Sequence, residues 1–287
     1  MTHILKNDIL TVTLDSHGAE LISVKDEGGH EYIWSGKEWA DHAPILFPIC
    51  GRILDGKYTV GGKEYSMLGH GFAKRSEFSL TEGDSTHAVF TLTENADTLA
   101  QYPFAFRLTA AYTLEGRSLS AVFTVENRSD AVMPFMLGWH PGFTLGGDGS
   151  VNDFTVDFGD VESLPLNRLQ NGPFVNPVSE IYPLDGGKYH VCDGEIAEND
   201  TLIFHDTLGY AVLGDGDPDH KVTIRYGENI PYFCIWKHPG LDTRFICLEP
   251  WSGVPSDGIT PENFDTRRMS RLGVGASEVF SYSVDFE

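Results

Sequence analysis

Short runs of alternating apolar and polar residues, separated by turn residues such as Gly, Asp and Ser, recur along most of the 287-residue chain, and this period of two limits the fold more than any other feature. Successive side chains of a strand point to opposite faces, so a run of this kind buries one face and wets the other. The pattern is readable over residues 9–14, 19–24, 31–34, 78–80, 88–92, 106–112 and 119–125. It returns over 201–204, 210–213, 221–226, 232–236, 245–249 and 279–284. Residues 58–60 and 64–67 flank Gly61-Gly62, a hairpin signature. Helix signals are few. Asn95 is placed to cap a turn over 96–101 before Pro103 stops it, and 39–42 is a second short candidate. Residues 146–199, richer in Gly, Pro and Asn, read as long loops and short strands laid over the sheets, with 154–158 their clearest strand. No charge block or low-complexity tether divides the chain. The expectation is an all-β fold, a large antiparallel β-sandwich with a few short helices, in one domain over 1–287.

Composition narrows the partners. A formal charge of −22 repels phosphate backbones and anionic membranes, and no lysine- or arginine-rich patch opposes it, so neither nucleic acid nor membrane is expected. No run of about 18 apolar residues is present to span a bilayer. Residues 1–8 lack a basic segment followed by an apolar stretch, so a cytoplasmic location is expected. Cys50, Cys192, Cys234 and Cys247 are scattered without C-x-x-C spacing, which points to reduced thiols rather than a zinc clip or redox pair. Glycine-rich nucleotide loops and a G-x-S-x-G elbow are also missing, so nucleotide cofactors and serine hydrolysis have no support.

Candidate chemistry sits where apolar strands run out into turns. His140 lies between Trp139 and Pro141-Gly142-Phe143, and a histidine exchanges protons readily near neutrality. A turn histidine bonded to backbone is the competing reading. Glu249 closes the apolar run 245–249 ahead of Pro250-Trp251, and burial beside an indole would raise its pKa. A solvated carboxylate at a strand end is the alternative. Arg52 follows Gly51 after an apolar run and offers a rigid fork of donors, and His70 stands between Gly69 and Gly71, where a ligand can approach closely. Either could equally be an ordinary surface or loop residue. His70, His140 and Glu249 include the ligand types of a two-His, one-carboxylate metal centre. They lack its tight spacing, so no metal and no cofactor are expected.

The ordered set of landmarks resembles the aldose 1-epimerase (mutarotase) family, its LacX-like branch in particular. The landmarks are Gly18-Ala19-Glu20-Leu21, Tyr32-Ile33-Trp34, the segment 44–52 ending in Arg52, His70-Gly71-Phe72, Trp139-His140-Pro141-Gly142-Phe143 and Glu249-Pro250-Trp251. The resemblance implies a galactose mutarotase-like supersandwich with the sugar in an open cleft on one sheet. It implies His140 as general acid, Glu249 as general base, and Arg52 and His70 as sugar-binding groups near the ring oxygen. It also implies a hydroxyl-gripping aspartate, for which Asp200 fits better than Asp206. The chemistry expected is cofactor-independent ring opening: Glu249 takes the anomeric proton, His140 protonates the ring oxygen from the opposite side, and closure after rotation about C1–C2 gives the other anomer. Trp139, Phe72 and Trp236 are the aromatic faces available to the sugar.

Two alternatives are carried alongside. One is a hexose-6-phosphate 1-epimerase, with Lys74 and Arg75 supplying positive charge, and the other is a non-catalytic sugar-binding sandwich. Glycoside hydrolysis usually takes two carboxylates, and only one is well placed. Monomer and homodimer are not separated by the sequence.

Overall fold

The structure is a computed structural model that describes residues 1–146, 149–217, 220–238 and 243–287. Among these residues the alternating runs form two nine-stranded sheets. One runs from edge to edge through Lys188–His190, Thr155–Asp157, Tyr210–Gly214, Lys221–Tyr226, Ser277–Phe286, Ser118–Asn127, Phe106–Glu115, His87–Thr93 and Ser79–Gly83. The other runs through Phe174–Val175, Ser163–Gln170, Thr201–His205, Tyr232–Trp236, Ile246–Trp251, Gly138–Trp139 and Ile45–Leu46, with Gly142–Phe143 and Glu180–Pro183 pairing alongside. Pairing within both is antiparallel, as alternation with short turns requires.

The two sheets face each other across one apolar core. Leu119, Ala121, Phe123 and Val125 from the first sheet meet Trp139, Phe233, Ile235, Ile246 and Leu248 from the second. Trp139 is fully buried, edge-on to Phe123 at 6.1 Å and to Tyr282 at 5.7 Å between ring centroids, and its indole N–H donates to the Ala43 carbonyl at 3.0 Å.

The second sheet is also covered on its other face. Leu46, Cys50, Ile203, Cys234 and Trp251 form a separate buried cluster there. Register explains the division: Ile203 is opposite Cys234, and Cys234 is opposite Glu249. Leu202, Ile235 and Leu248, one position along each strand, therefore point into the sandwich. Residues 201, 203, 234, 236, 247, 249 and 251 share the outer face. That face carries the site.

Several elements differ from the sequence expectation. Residues 149–199 carry the short strands expected, but these extend the two sheets instead of lying over them. Ser163–Gln170 is an eight-residue strand whose Pro165 interrupts the alternating pattern, and Asp193–Asn199 is a helix whose preceding Cys192 offers no side-chain cap. Residues 31–34 make only isolated bridges, and 39–42 bend without a helical turn. The short helix Ala96–Gln101 does form, with the Asn95 side chain accepting from the backbone N–H groups of Asp97 and Thr98. Among the described residues no helix is long and apolar enough to cross a membrane.

Because Trp139 fills the space between the sheets, Trp139→Ala should lower the free energy of unfolding by about 3–5 kcal/mol. Chemical denaturation would measure this, and a loss well under 1 kcal/mol would contradict the packing described.

Candidate active site

Strand alternation places the two proton carriers side by side. Gly138 pairs with Trp251 and Gly142 with Cys247, so the segment 138–143 crosses the strand Ile246–Trp251 where Glu249 lies. Trp139 turns into the sandwich and His140, the next residue, turns out. His140 Nε2 comes within 3.1 Å of Glu249 Oε2. The two are close without being aligned as a hydrogen bond, and neither Glu249 oxygen nor His140 Nδ1 has a hydrogen-bond partner. Two glycines make room for this crossing. A side chain at 138 would strike the Trp251 ring at 2.6 Å, and one at 142 would strike Trp39 at 2.7 Å.

Around this pair is a cleft of about 220 Å³ bordered by Arg52, His70, Asp200 and Trp236, with Trp39 and Trp251 among its aromatic walls. The volume is below the roughly 300–1,000 Å³ of a drug-sized site, which suits one small polar metabolite. The Trp39 and Trp236 rings lie 5.2 and 5.5 Å from that of His140. Trp236 donates its indole N–H to Asp200 Oδ1 at 3.2 Å, holding the carboxylate at the rim. His70 sits at φ 64°, followed by Gly71, where a Cβ would meet the Phe47 carbonyl oxygen at 2.1 Å. The strained turn is tied down by His70 N–H donating to Gly51 O at 2.7 Å and Gly51 N–H donating to His70 Nδ1 at 3.2 Å. With Nδ1 an acceptor, the ring carries its proton on Nε2 and is a donor there.

Burial governs the ionisation of the centre. The Glu249 carboxyl is pushed well above its ordinary range by burial and, secondarily, by the Asp200 charge, with Lys74 opposing. His140 is held well below the usual histidine range by burial, then by His70 and Lys74. Burial, then Lys74, Arg75 and Arg52, takes His70 down to about 3. Burial thus favours neutral imidazoles and a protonated Glu249. Lys74 is ion-paired with Asp41 on the cleft wall, whereas Arg52 is exposed and makes no ion pair with a described residue.

A family model described as aldose 1-epimerase matches residues 1–260. The chain belongs to the aldose 1-epimerase family. It is 30% identical over 265 residues to protein LacX of Lactococcus lactis, an alignment covering 88% of each chain. A galactose mutarotase related enzyme from Lactobacillus acidophilus superposes with a TM-score of 0.93 at 27% identity, covering 100% of this chain and 97% of that one. A galactose mutarotase-like protein from Lactobacillus casei does so at 0.90 and 29% identity, with 100% of both chains covered. The galactose mutarotase-like sandwich expected from the landmarks is the fold of this epimerase-family chain.

Six of the eight residues singled out in the sequence border the cleft: Arg52, His70, His140, Asp200, Trp236 and Glu249. Trp139 and Phe72 do not. Trp139 faces the core for the reason given above, and Phe72 packs edge-on against Phe47 at 5.8 Å and beside Phe106. Asp206 pairs with His205 and borders a different cleft with Ser179 and Arg268. Glu249 is not a strand-end carboxylate leaving the core, because its strand continues to Trp251 and the side chain is fully buried. Trp39, Asp41 and Thr201 were not singled out in the sequence. The first two lie in an irregular segment with no periodic signal, and Thr201 is an unremarkable outer-face strand residue.

The raised Glu249 pKa has a stability consequence. The native state holds this proton more tightly than the unfolded chain, so the contribution is fully present below the unfolded value near 4.5 and is lost as pH rises through the folded value. Glu249→Gln removes that loss. Its gain in melting temperature over wild type should therefore be larger at pH 9 than at pH 5, and a gain larger at pH 5 would contradict the burial argument.

Proposed function

We propose that this chain is an aldose 1-epimerase that interconverts the α and β anomers of an unphosphorylated aldohexose by acid/base ring opening. The observation that carries the reading is the 3.1 Å approach of His140 Nε2 to Glu249 Oε2 in a cleft walled by tryptophans. The anomeric and ring oxygens of a hemiacetal are bonded to the same carbon, so adjacent proton carriers reach both from one side. The 3.1 Å approach supports this over the opposed arrangement expected from the sequence.

In the ring-opening direction the Glu249 carboxylate takes the proton from the anomeric hydroxyl while protonated His140 delivers one to the ring oxygen. The C1–O5 bond breaks and an aldehyde forms. Burial raises the pKa of Glu249 and lowers that of His140, so it favours the proton on Glu249, and substrate contacts have to favour protonated His140 for this direction to proceed. Rotation about C1–C2 and closure with the roles exchanged give the other anomer, and the pair recovers its starting state. His70, a donor at Nε2, and Arg52 hold the ring oxygen. Asp200, steadied by Trp236, accepts from sugar hydroxyls.

An unphosphorylated substrate is favoured over a sugar phosphate by the fate of the nearby cations. Lys74 is paired with Asp41, and Arg75 donates to the backbone carbonyls of Gly69 and Gly71. Among the described cleft residues Arg52 alone is a cation without a carboxylate partner, against Asp200 and Glu249. The partner proposed is a small neutral sugar, with nucleic acid and membrane disfavoured by the −22 charge.

Polarimetry of freshly dissolved α-glucose and α-galactose tests the reading. Glu249→Gln and His140→Asn should each lower kcat by about 10²–10⁴-fold while the fold is kept. Wild-type interconversion no faster than buffer on any aldose would overturn the proposal. Binding without anomer exchange would replace it with the non-catalytic sandwich. Asp200→Asn should raise KM, whereas Asp206→Asn should leave both constants unchanged, and the reverse pattern would move the hydroxyl-binding role to Asp206.

A further inference from the structure

The fold brings a third donor to the proton pair, one of the scattered cysteines whose spacing gave no metal signal. Cys247 lies two positions before Glu249 on the same strand and shares its outward face, and it too is fully buried. One ligand atom each from His140, Cys247 and Glu249 lie within 4.8 Å of one another. Cys247 thus takes the place that a two-histidine reading would give to His70. Both Glu249 oxygens lack a hydrogen-bond partner although the side chain is buried, so they are available to a cation.

We propose that His140, Cys247 and Glu249 form a three-donor site for a borderline-soft divalent cation, Zn²⁺ by chemical class, whose occupation shuts the cleft to sugar. Nitrogen, thiolate and carboxylate are the donor types that Zn²⁺ accepts, and three protein ligands leave a fourth position open. Bonds of about 2.0–2.3 Å to one ion draw the donors inward from their 4.8 Å spread, a shift within reach of side-chain rotation. On binding, the Cys247 thiol gives up its proton to solvent, and Glu249 does so where it is protonated. His140 contributes a neutral lone pair, and no electron changes hands. The fourth position would be left to water. The ion occupies the two groups that the proposed epimerisation needs, so metal and sugar exclude each other. The inhibitory consequence rests on the proposed function, whereas the binding itself does not.

Titration of Co²⁺ alone into the full chain tests the site without reference to activity. A thiolate-to-cobalt charge-transfer band should saturate at one equivalent, survive Cys192→Ser, which removes the exposed thiol, and vanish in Cys247→Ala. Cobalt affinity in Cys247→Ala should fall by about tenfold or more. If that variant is not obtained folded, Glu249→Gln is read instead, with the band retained and affinity lowered by about tenfold or more. Absence of the band, its loss in Cys192→Ser, or its persistence in Cys247→Ala would overturn the proposal, as would undiminished affinity in Glu249→Gln. In the anomer assay, Zn²⁺ should inhibit wild type reversibly and Cys247→Ala at least about tenfold less. Equal inhibition of both proteins would overturn the site even if the epimerase reading stands. A wild type inactive on every aldose would overturn that reading while leaving the cobalt result to decide the site.

Discussion

Everything at the candidate site depends on a sheet that is buried on both faces. An antiparallel sheet commonly presents one face to a core and the other to water. Here the strand Ile246–Trp251 is buried at all six positions, with Leu248 against the first sheet and Glu249 against the outer layer. A carboxylate at the outward position is thereby taken out of water without being placed in the main core. Burial then sets the proton affinity of Glu249, and the same covering does so for His140. The chemistry follows from that environment more than from residue type.

Buried polar groups without partners are costly, and native structures hold few of them. Glu249 and His140 Nδ1 are such groups, gathered at one cleft. Both oxygens of one buried carboxylate without a partner, near the left-handed backbone of His70, fit a site that a ligand completes by supplying hydrogen bonds. The Asp200–Trp236 bond and the reciprocal His70–Gly51 pair contrast with it. Those groups are held by the protein itself and shape the cleft before anything enters.

The readable part of the sequence was whatever the strand period controls. Runs such as 119–125 and 232–236 announce their strands because neighbouring residues obey one rule. Asn95 announces its helix because the cap is local. The same rule was not carried far enough at Trp139. Trp139 ends the two-residue strand Gly138–Trp139 with its ring in the sandwich, and His140, the next residue, turns to the other side. Phe72 differs for a related reason, since the turn made by His70 and Gly71 sends its ring into an aromatic cluster with Phe47 and Phe106. Trp39 and Asp41 could not be found by period, because irregular backbone brings them to the cleft. Cys247 could have been found, since i and i+2 share a face, but an isolated cysteine carries no metal signature by spacing alone.

The central claim is that His140 and Glu249 act together on one hemiacetal. A crystal structure of Glu249→Gln with glucose tests this most directly, because the bound sugar should survive to be seen. The account predicts the ring oxygen and anomeric oxygen within about 2.6–3.2 Å of the side chains at 140 and 249, with the C–H face against Trp39 or Trp236. A sugar seated instead in the cleft beside Ser179 and His205, or bound with its anomeric carbon turned away from His140, would contradict it.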